Sequence, residues 1–189
     1  MIILASQSPR RRELLAAWGI SFRAVPSGYE EDNGRHLPPE TLVRLQAEGK
    51  ARDVWRRERG ALPVLGADTL VVCGGAVLGK PVDAEEARRM LRLLSGRTHE
   101  VMTGVAVMTE KGMESALCRT DITFRPLGES EIEGYIAGGE PMDKAGAYAI
   151  QGKGKDFVKE IRGSWSNVVG LPRGVTLALL AKMGVPLTG

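Results

Sequence analysis

The sequence predicts a mixed α/β fold in which one part of the sheet is mostly parallel. Apolar, strand-like runs alternate with helical stretches through the first half of the chain, the pattern of strand–helix–strand crossovers. Two long strand-like segments then follow one another, joined by Glu110-Lys111-Gly112, and read as an antiparallel hairpin. The 189 residues are 43% hydrophobic, enough core for one domain or for two small lobes sharing a core.

The first strand is Ile2-Ile3-Leu4-Ala5, a buried apolar run that stops at Ser6-Gln7-Ser8-Pro9. A helix is expected from about Pro9 to Trp18, with Ser8 as its cap, Leu14, Leu15 and Trp18 as its buried stripe, and Gly19 as its end. Ile20 to Val25 reads as a second strand. An acidic polar stretch, Ser27 to Gly34, leads to Pro38-Pro39-Glu40, which opens a long helix reaching about Arg59 with Leu42, Leu45 and Val54 facing the core. Gly49 weakens that helix by roughly 1 kcal/mol relative to Ala.

Leu62 to Val72 is the most strand-like segment, interrupted at Gly66-Ala67-Asp68-Thr69. Gly74-Gly75 signals a turn, and Ala76-Val77-Leu78 a short return strand. Asp83-Ala84-Glu85-Glu86 has capping-box spacing and starts a helix that turns Ala87, Met90, Leu91 and Leu94 inward. The hairpin strands run over about His99–Met108 and Glu114–Phe124. A short helix is expected from Glu129 to Ala137. Asp143 to Gly154 fits neither period, Phe157 to Ile161 reads as a strand, and Pro172 to Met183 as the last helix.

Composition narrows the function. Net charge is +3, from 26 basic and 23 acidic residues, and aromatics are 5%. That balance lacks the polybasic footprint of a nucleic-acid or membrane binder, and it offers few platforms for base stacking. A small anionic substrate fits better. Cys73 and Cys118 lie in apolar runs and are expected as buried thiols. No zinc motif, secretion signal or spanning apolar stretch is present, so a soluble cytoplasmic protein is expected, with no nucleic-acid or membrane partner. A homodimer is the assembly that base rates favour.

Four places combine unusual backbone with ionisable groups. The first is the Ser6–Arg12 turn, where Arg10, Arg11 and Arg12 load the opening of a helix. Cations there oppose the macrodipole at roughly a few tenths of a kcal/mol each. They are either solvated charges or, with the free amides, part of a phosphate pocket. The second is Asp68 inside an apolar strand, costly unless paired or metal-bound, and otherwise a strand-end acceptor of backbone N–H groups. The third is Lys80 at the end of a buried hairpin, as an anion ligand or an exposed turn lysine. The fourth is Asp143 to Gly152, where small residues allow close approach to a ligand and Gln151 offers both a donor and an acceptor; its alternative is a packed glycine turn. Together these groups suit a metal–triphosphate with a base to be read.

In these residues the chain resembles the Maf proteins, which are nucleoside triphosphate pyrophosphatases. The matching stretches are Leu4-Ala5-Ser6-x-Ser8-Pro9-Arg10-Arg11-x-Glu13-Leu14-Leu15, Gly66-Ala67-Asp68-Thr69, Gly79-Lys80-Pro81, Leu94-Ser95-Gly96-x-Thr98-His99, Asp143-Lys144-Ala145-Gly146-Ala147-Tyr148, Ile150-Gln151-Gly152 and Asn167-Val168-Val169-Gly170-Leu171-Pro172. Ala149, Gly49 and Gly128 depart from the family pattern.

The resemblance implies one Maf-like domain over residues 1–189. Its fold would be elongated and two-lobed, a mixed-sheet α/β fold with a central groove, similar to inosine triphosphate pyrophosphatases. It implies hydrolysis of a nucleoside triphosphate to the monophosphate and pyrophosphate with Mg²⁺ or Mn²⁺. Asp68 would be the catalytic acceptor and, with Glu31, the metal ligand; Glu30 and Asp32 lie beside Glu31, and a surface acidic loop is the alternative. Ser6, Ser8, Arg11, Lys50 and Lys80 would bind the phosphates. Arg10, Thr69 and Gln151 mark the branch acting on dTTP and UTP, with modified pyrimidine nucleotides as further candidates. The alternatives are the sister branch acting on 7-methyl-GTP and a non-catalytic regulator of septum formation.

Overall fold

The structure, a computed structural model, describes residues 1–34 and 36–186. In chain order its elements are β1 (Ile2–Leu4), α1 (Pro9–Ala17), β2 (Phe22–Ala24), α2 (Pro39–Arg57), β3 (Val64–Cys73), β4 (Ala76–Leu78), α3 (Ala84–Leu94), β5 (Thr98–Thr109), β6 (Gly112–Phe124), α4 (Glu129–Ala137), β7 (Val158–Arg162), α5 (Trp165–Val169) and α6 (Arg173–Lys182). Three 3-10 turns, Glu140–Asp143, Ala145–Ala147 and Lys153–Phe157, fill the stretch that fits neither period. The strands are ordered β2-β1-β3-β5-β6-β7, with β4 paired to β3. No helix among the described residues is long and apolar enough to cross a membrane. The mixed α/β class is as the sequence predicts.

The chain divides into two compact units. The first comprises Met1–Asp68, Thr103–Cys118 and the chain from Gly170 onward. It holds the parallel part of the sheet: β1 pairs with β2 (Ile2 opposite Phe22) and with β3 (Ile3 opposite Val64). Its core gathers Ile3, Ala5, Ala47, Ala51, Val54, Val64 and Ala106. Helix α1 closes on Gly19, whose φ is +70°. The Gly19 N–H donates to Ala16 O and the Ile20 N–H to Leu15 O, the paired bonds of a Schellman end. Ser8 does stand at the N-cap, but its side chain makes no capping bond.

The buried stripe of α2 is Leu42, Val43, Gln46, Ala47, Lys50, Ala51 and Val54. Leu45, expected inward, is 38% exposed, because the stripe turns past it through Gln46 and Lys50. The expected break in β3 does not occur either; the strand runs unbroken through Gly66 and Asp68. Gly66 serves packing instead. A Cβ there would stand 2.3 Å from Ala47 O and 2.9 Å from Ala51 N, so the missing side chain lets α2 lie directly on the strand.

The second unit comprises Thr69–Met102 and Arg119–Val169. Its pairings are antiparallel: β3 with β4, and β6 with β7. Gly74 and Gly75, with φ of +56° and +81°, make the two-residue turn that a tight hairpin requires. The Asp83 carboxylate accepts from the Glu86 N–H at 2.8 Å, and α3 buries Ala87, Met90, Leu91 and Leu94 as its period predicts. These residues pack with Phe124, Tyr135, Tyr148 and Phe157. Helix α5 is not foreseen from the sequence; it is short and has no apolar period to reveal it.

Candidate active site

In the first unit, four chemistry-bearing segments converge. Strand β3 carries Asp68, which is 4% exposed. Helix α2, seated on that strand at Gly66, carries Lys50 on its buried stripe. The Lys50 Nζ donates to Asp68 Oδ1 at 2.6 Å and to Glu31 Oε1 at 2.6 Å. Asp68 Oδ2 is buried and has no hydrogen-bond partner. Burial is the strongest influence on Asp68 and raises its pKa; Lys50 pulls it down, Glu31 raises it further, and Arg11 lowers it. A carboxylate held this way has one oxygen neutralised and one open to a proton, a water or a cation.

The three arginines of α1 part company. Arg12 is exposed, Arg10 half-buried, and Arg11 buried. The Arg11 Nε donates to Gly170 O at 2.8 Å, and its Nη1 to Ala67 O at 2.9 Å and Ser6 Oγ at 3.3 Å. Burial lowers its pKa, Asp68 and Glu31 oppose that, and Arg10 adds to it; a guanidinium nonetheless stays charged. Arg11 thus ties the turn after β1 to the residue preceding Asp68 and to the chain entering α6. Ser6 Oγ also accepts from the Ser8 N–H at 3.2 Å.

The acidic segment lies along α2, running opposite to it. Asp53 Oδ2 accepts from Ser27 Oγ at 3.0 Å and from the Gly28 N–H at 2.8 Å. The Tyr29 ring covers Gly49, where a Cβ would stand 2.3 Å from the ring edge. Glu31 meets Lys50, and Asn33 Oδ1 accepts from Gln46 Nε2 at 2.9 Å. This register selects Glu31 from the three neighbouring acids. Gln46, buried with its Oε1 unpartnered, is a site residue that sequence reasoning missed; a polar residue four before Lys50 on the apolar stripe was the signal. Gly49 makes room for Tyr29.

The remaining candidates belong to the second unit. Thr69 is half-buried, and Lys80 and Gln151 are exposed. The Gly146 N–H donates to Gly79 O at 3.0 Å, and Gly146 packs so closely on Val71 that a Cβ would meet it at 2.9 Å. This joins the segment before Gln151 to the residue preceding Lys80. His99 is buried; its Nε2 lies 2.8 Å from Tyr148 Oη, and its ring packs edge-on against Phe124 and Tyr148. Burial depresses its pKa to about 4, so it is a neutral core group. Among the described residues no cluster of three or more His, Cys, Asp or Glu side chains could hold a metal by itself. Cys73 is buried and Cys118 partly so, and no disulfide joins them.

The fold and the site define a mixed α/β protein in which a buried acid on β3 is met by a lysine from α2, with a buried arginine from α1 bonded to the residue before it. The family model described as Maf-like protein matches residues 1–183, and the chain belongs to that family. It is 53% identical to a dTTP/UTP pyrophosphatase of Anaeromyxobacter dehalogenans (strain 2CP-C), over 98% of this chain and 95% of the relative. It is 54% identical to one from Moorella thermoacetica (100% and 97% covered) and 49% identical to one from Escherichia coli O157:H7 (95% and 91% covered). Among solved structures, a nucleoside-triphosphatase / dITP/XTP pyrophosphatase from Mycobacterium abscessus matches with a TM-score of 0.48 at 18% identity, covering 96% of this chain and 95% of that one. The Staphylococcus aureus Ham1 protein matches with a TM-score of 0.47 at 11% identity, covering 96% of each.

Proposed function

We propose that this protein hydrolyses dTTP and UTP to the monophosphate and pyrophosphate. The observation that carries the chemistry is the Asp68 carboxylate, buried, paired through one oxygen to Lys50 and unpartnered at the other. The substrate follows from membership of the family and from relatives at about half identity that bear the dTTP/UTP name. Asp68, its pKa raised by burial, takes a proton from water as it attacks the α-phosphorus. The bond to the bridging oxygen of the β-phosphate breaks, and pyrophosphate leaves.

Charge developing on the phosphates is neutralised by Arg11, Lys50 and Lys80, with Ser6 and Ser8 adding donors, the dominant form of stabilisation in such transfers. Arg10, Thr69 and Gln151 read the pyrimidine. The donor set fits Mg²⁺ or Mn²⁺: Asp68 has an orphaned buried oxygen, and Glu31 meets it at the same ammonium. Two carboxylates plus substrate phosphates are what such ions favour. When bound by Asp68 and Glu31, the ion would supply Lewis-acid polarisation of the phosphates.

The test is pyrophosphate release from a panel of dTTP, UTP, dCTP and 7-methyl-GTP with magnesium. Preference for dTTP and UTP, lost in Asp68→Asn, is expected. Equal turnover in the variant, or a preference for 7-methyl-GTP, overturns the reading.

A further inference from the structure

We infer that Glu140 is a positioning residue for Gln151, fixing the loop that presents this amide and thereby setting the preference among bases; the inference rests on the reading of Gln151 given above. Nothing in the proposed chemistry uses Glu140, yet its carboxylate is a hub. The Tyr135 hydroxyl donates to Oε1 at 2.8 Å, the Gly154 N–H to Oε1 at 3.2 Å, and the Lys153 N–H to Oε2 at 3.1 Å. The same Tyr135 oxygen accepts from the Ala149 N–H at 3.1 Å. The backbone is therefore held two residues before Gln151 and again two and three residues after it.

Between those ties the chain makes one turn, closed by the Gly152 N–H on Ala149 O at 3.4 Å. Tyr148, Ala149 and Ile150 are buried and Gln151 is exposed, so the turn delivers one amide outward from an anchored base. The anchor is also close-packed: a Cβ on Gly152 would stand 2.3 Å from Glu140 Oε1. Lys144 Nζ, the cation nearest in sequence, donates to the Glu140 carbonyl at 2.8 Å, which leaves the carboxylate to the loop amides and Tyr135. Only an acceptor at both oxygens serves three donors; glutamine would turn an NH₂ group toward one of them. An amide that must pair with a base edge discriminates only while its backbone is fixed.

The experiment measures kcat and KM of the full-length protein with magnesium on dTTP and dCTP, for wild type, Gln151→Ala, Glu140→Gln, Tyr135→Phe and the Gln151→Ala/Glu140→Gln double variant. Glu140→Gln is expected to lower the dTTP-over-dCTP ratio of kcat/KM about tenfold, through KM, and Tyr135→Phe to lower it by less. In the Gln151→Ala background, Glu140→Gln should change the ratio no further. If Gln151→Ala collapses the ratio while Glu140→Gln and Tyr135→Phe change only the melting temperature, the positioning role is overturned and the reading of Gln151 stands. If Gln151→Ala leaves the ratio intact, that reading falls and the positioning role falls with it. Tyr135→Phe keeps the test decisive should Glu140→Gln not fold.

Discussion

Lys50 Nζ and Asp68 Oδ1 stand 2.6 Å apart, with the two side chains only 10% and 6% exposed. This ion pair sits where α2 touches β3, and Gly66 sets the approach. Losing one partner of a buried pair leaves an uncompensated charge, which costs far more than a surface pair is worth.

Lys50→Met is therefore expected to destabilise the protein by about 3 kcal/mol at pH 7. The sign with pH follows from Asp68, whose folded pKa is raised. Such a carboxyl favours folding fully below its ordinary pKa, and that contribution is lost as pH rises through the folded value. The gap between Lys50→Met and wild type should narrow as the pH falls toward 4, the ordinary range for Asp. Urea titrations of both proteins at pH 7 and pH 4 check this; an equal gap at both would mean that Asp68 is not the buried charge left behind.

Asp68→Asn keeps volume and removes the charge. Turnover should fall by about 10²-fold or more, with a smaller loss of stability than in Lys50→Met, since Lys50 keeps Glu31 Oε1 at 2.6 Å and the buried carboxylate charge is removed. Pyrophosphate release and a thermal melt on the same preparation separate the two effects.

Arg11 spends Nε and Nη1 on carbonyls 159 and 56 residues away in sequence. Lysine has no planar fork to match them. Arg11→Lys is expected to cost about 3 kcal/mol, from two buried carbonyls losing charged donors. A shift in the urea midpoint at unchanged slope would show it.

Gly49→Ala inverts the usual helix rule. Alanine is normally worth about 1 kcal/mol over glycine, but here the new methyl meets the Tyr29 ring at 2.3 Å. The single variant should lose about 1–2 kcal/mol. In a Tyr29→Ala background the same substitution should stabilise. A double-mutant cycle by chemical denaturation gives the sign directly.

His99, depressed to about 4 by burial, contributes stability above its ordinary pKa of 6.5, and that stability is lost as pH falls toward 4. The amount is roughly 3 kcal/mol. A His99→Gln variant should lack this part of the acid sensitivity, and the His99 ring should show no NMR titration between pH 8 and 5.

Much of the fold was legible because period and punctuation agreed. The inward residues of α3, its Asp83 cap, the Gly74-Gly75 turn and the Gly19 stop each rest on interactions within a few residues, which local sequence encodes. The misreadings arose where a distant partner decided. Gly66 looked like an interruption because the helix that needs its missing side chain lies elsewhere in the chain. Leu45 looked buried because Gln46 and Lys50 hold the apolar stripe in its place.

The site divides in the same way. The sequence by itself determined most of the order of elements, since period and punctuation are local, and its motifs carried the resemblance to the family and the residue types of the candidate site. Only the tertiary structure gave the physical reason that Arg11 and Glu31, the copies the resemblance names, are the ones bonded into the cluster. Consecutive residues of a helix point about 100° apart, so of Arg10, Arg11 and Arg12 only Arg11 turns inward to meet carbonyls from two other segments. Of Glu30, Glu31 and Asp32, Glu31 reaches Lys50 because Asp53, Gly49 and Gln46 on α2 fix the register of the segment laid against them.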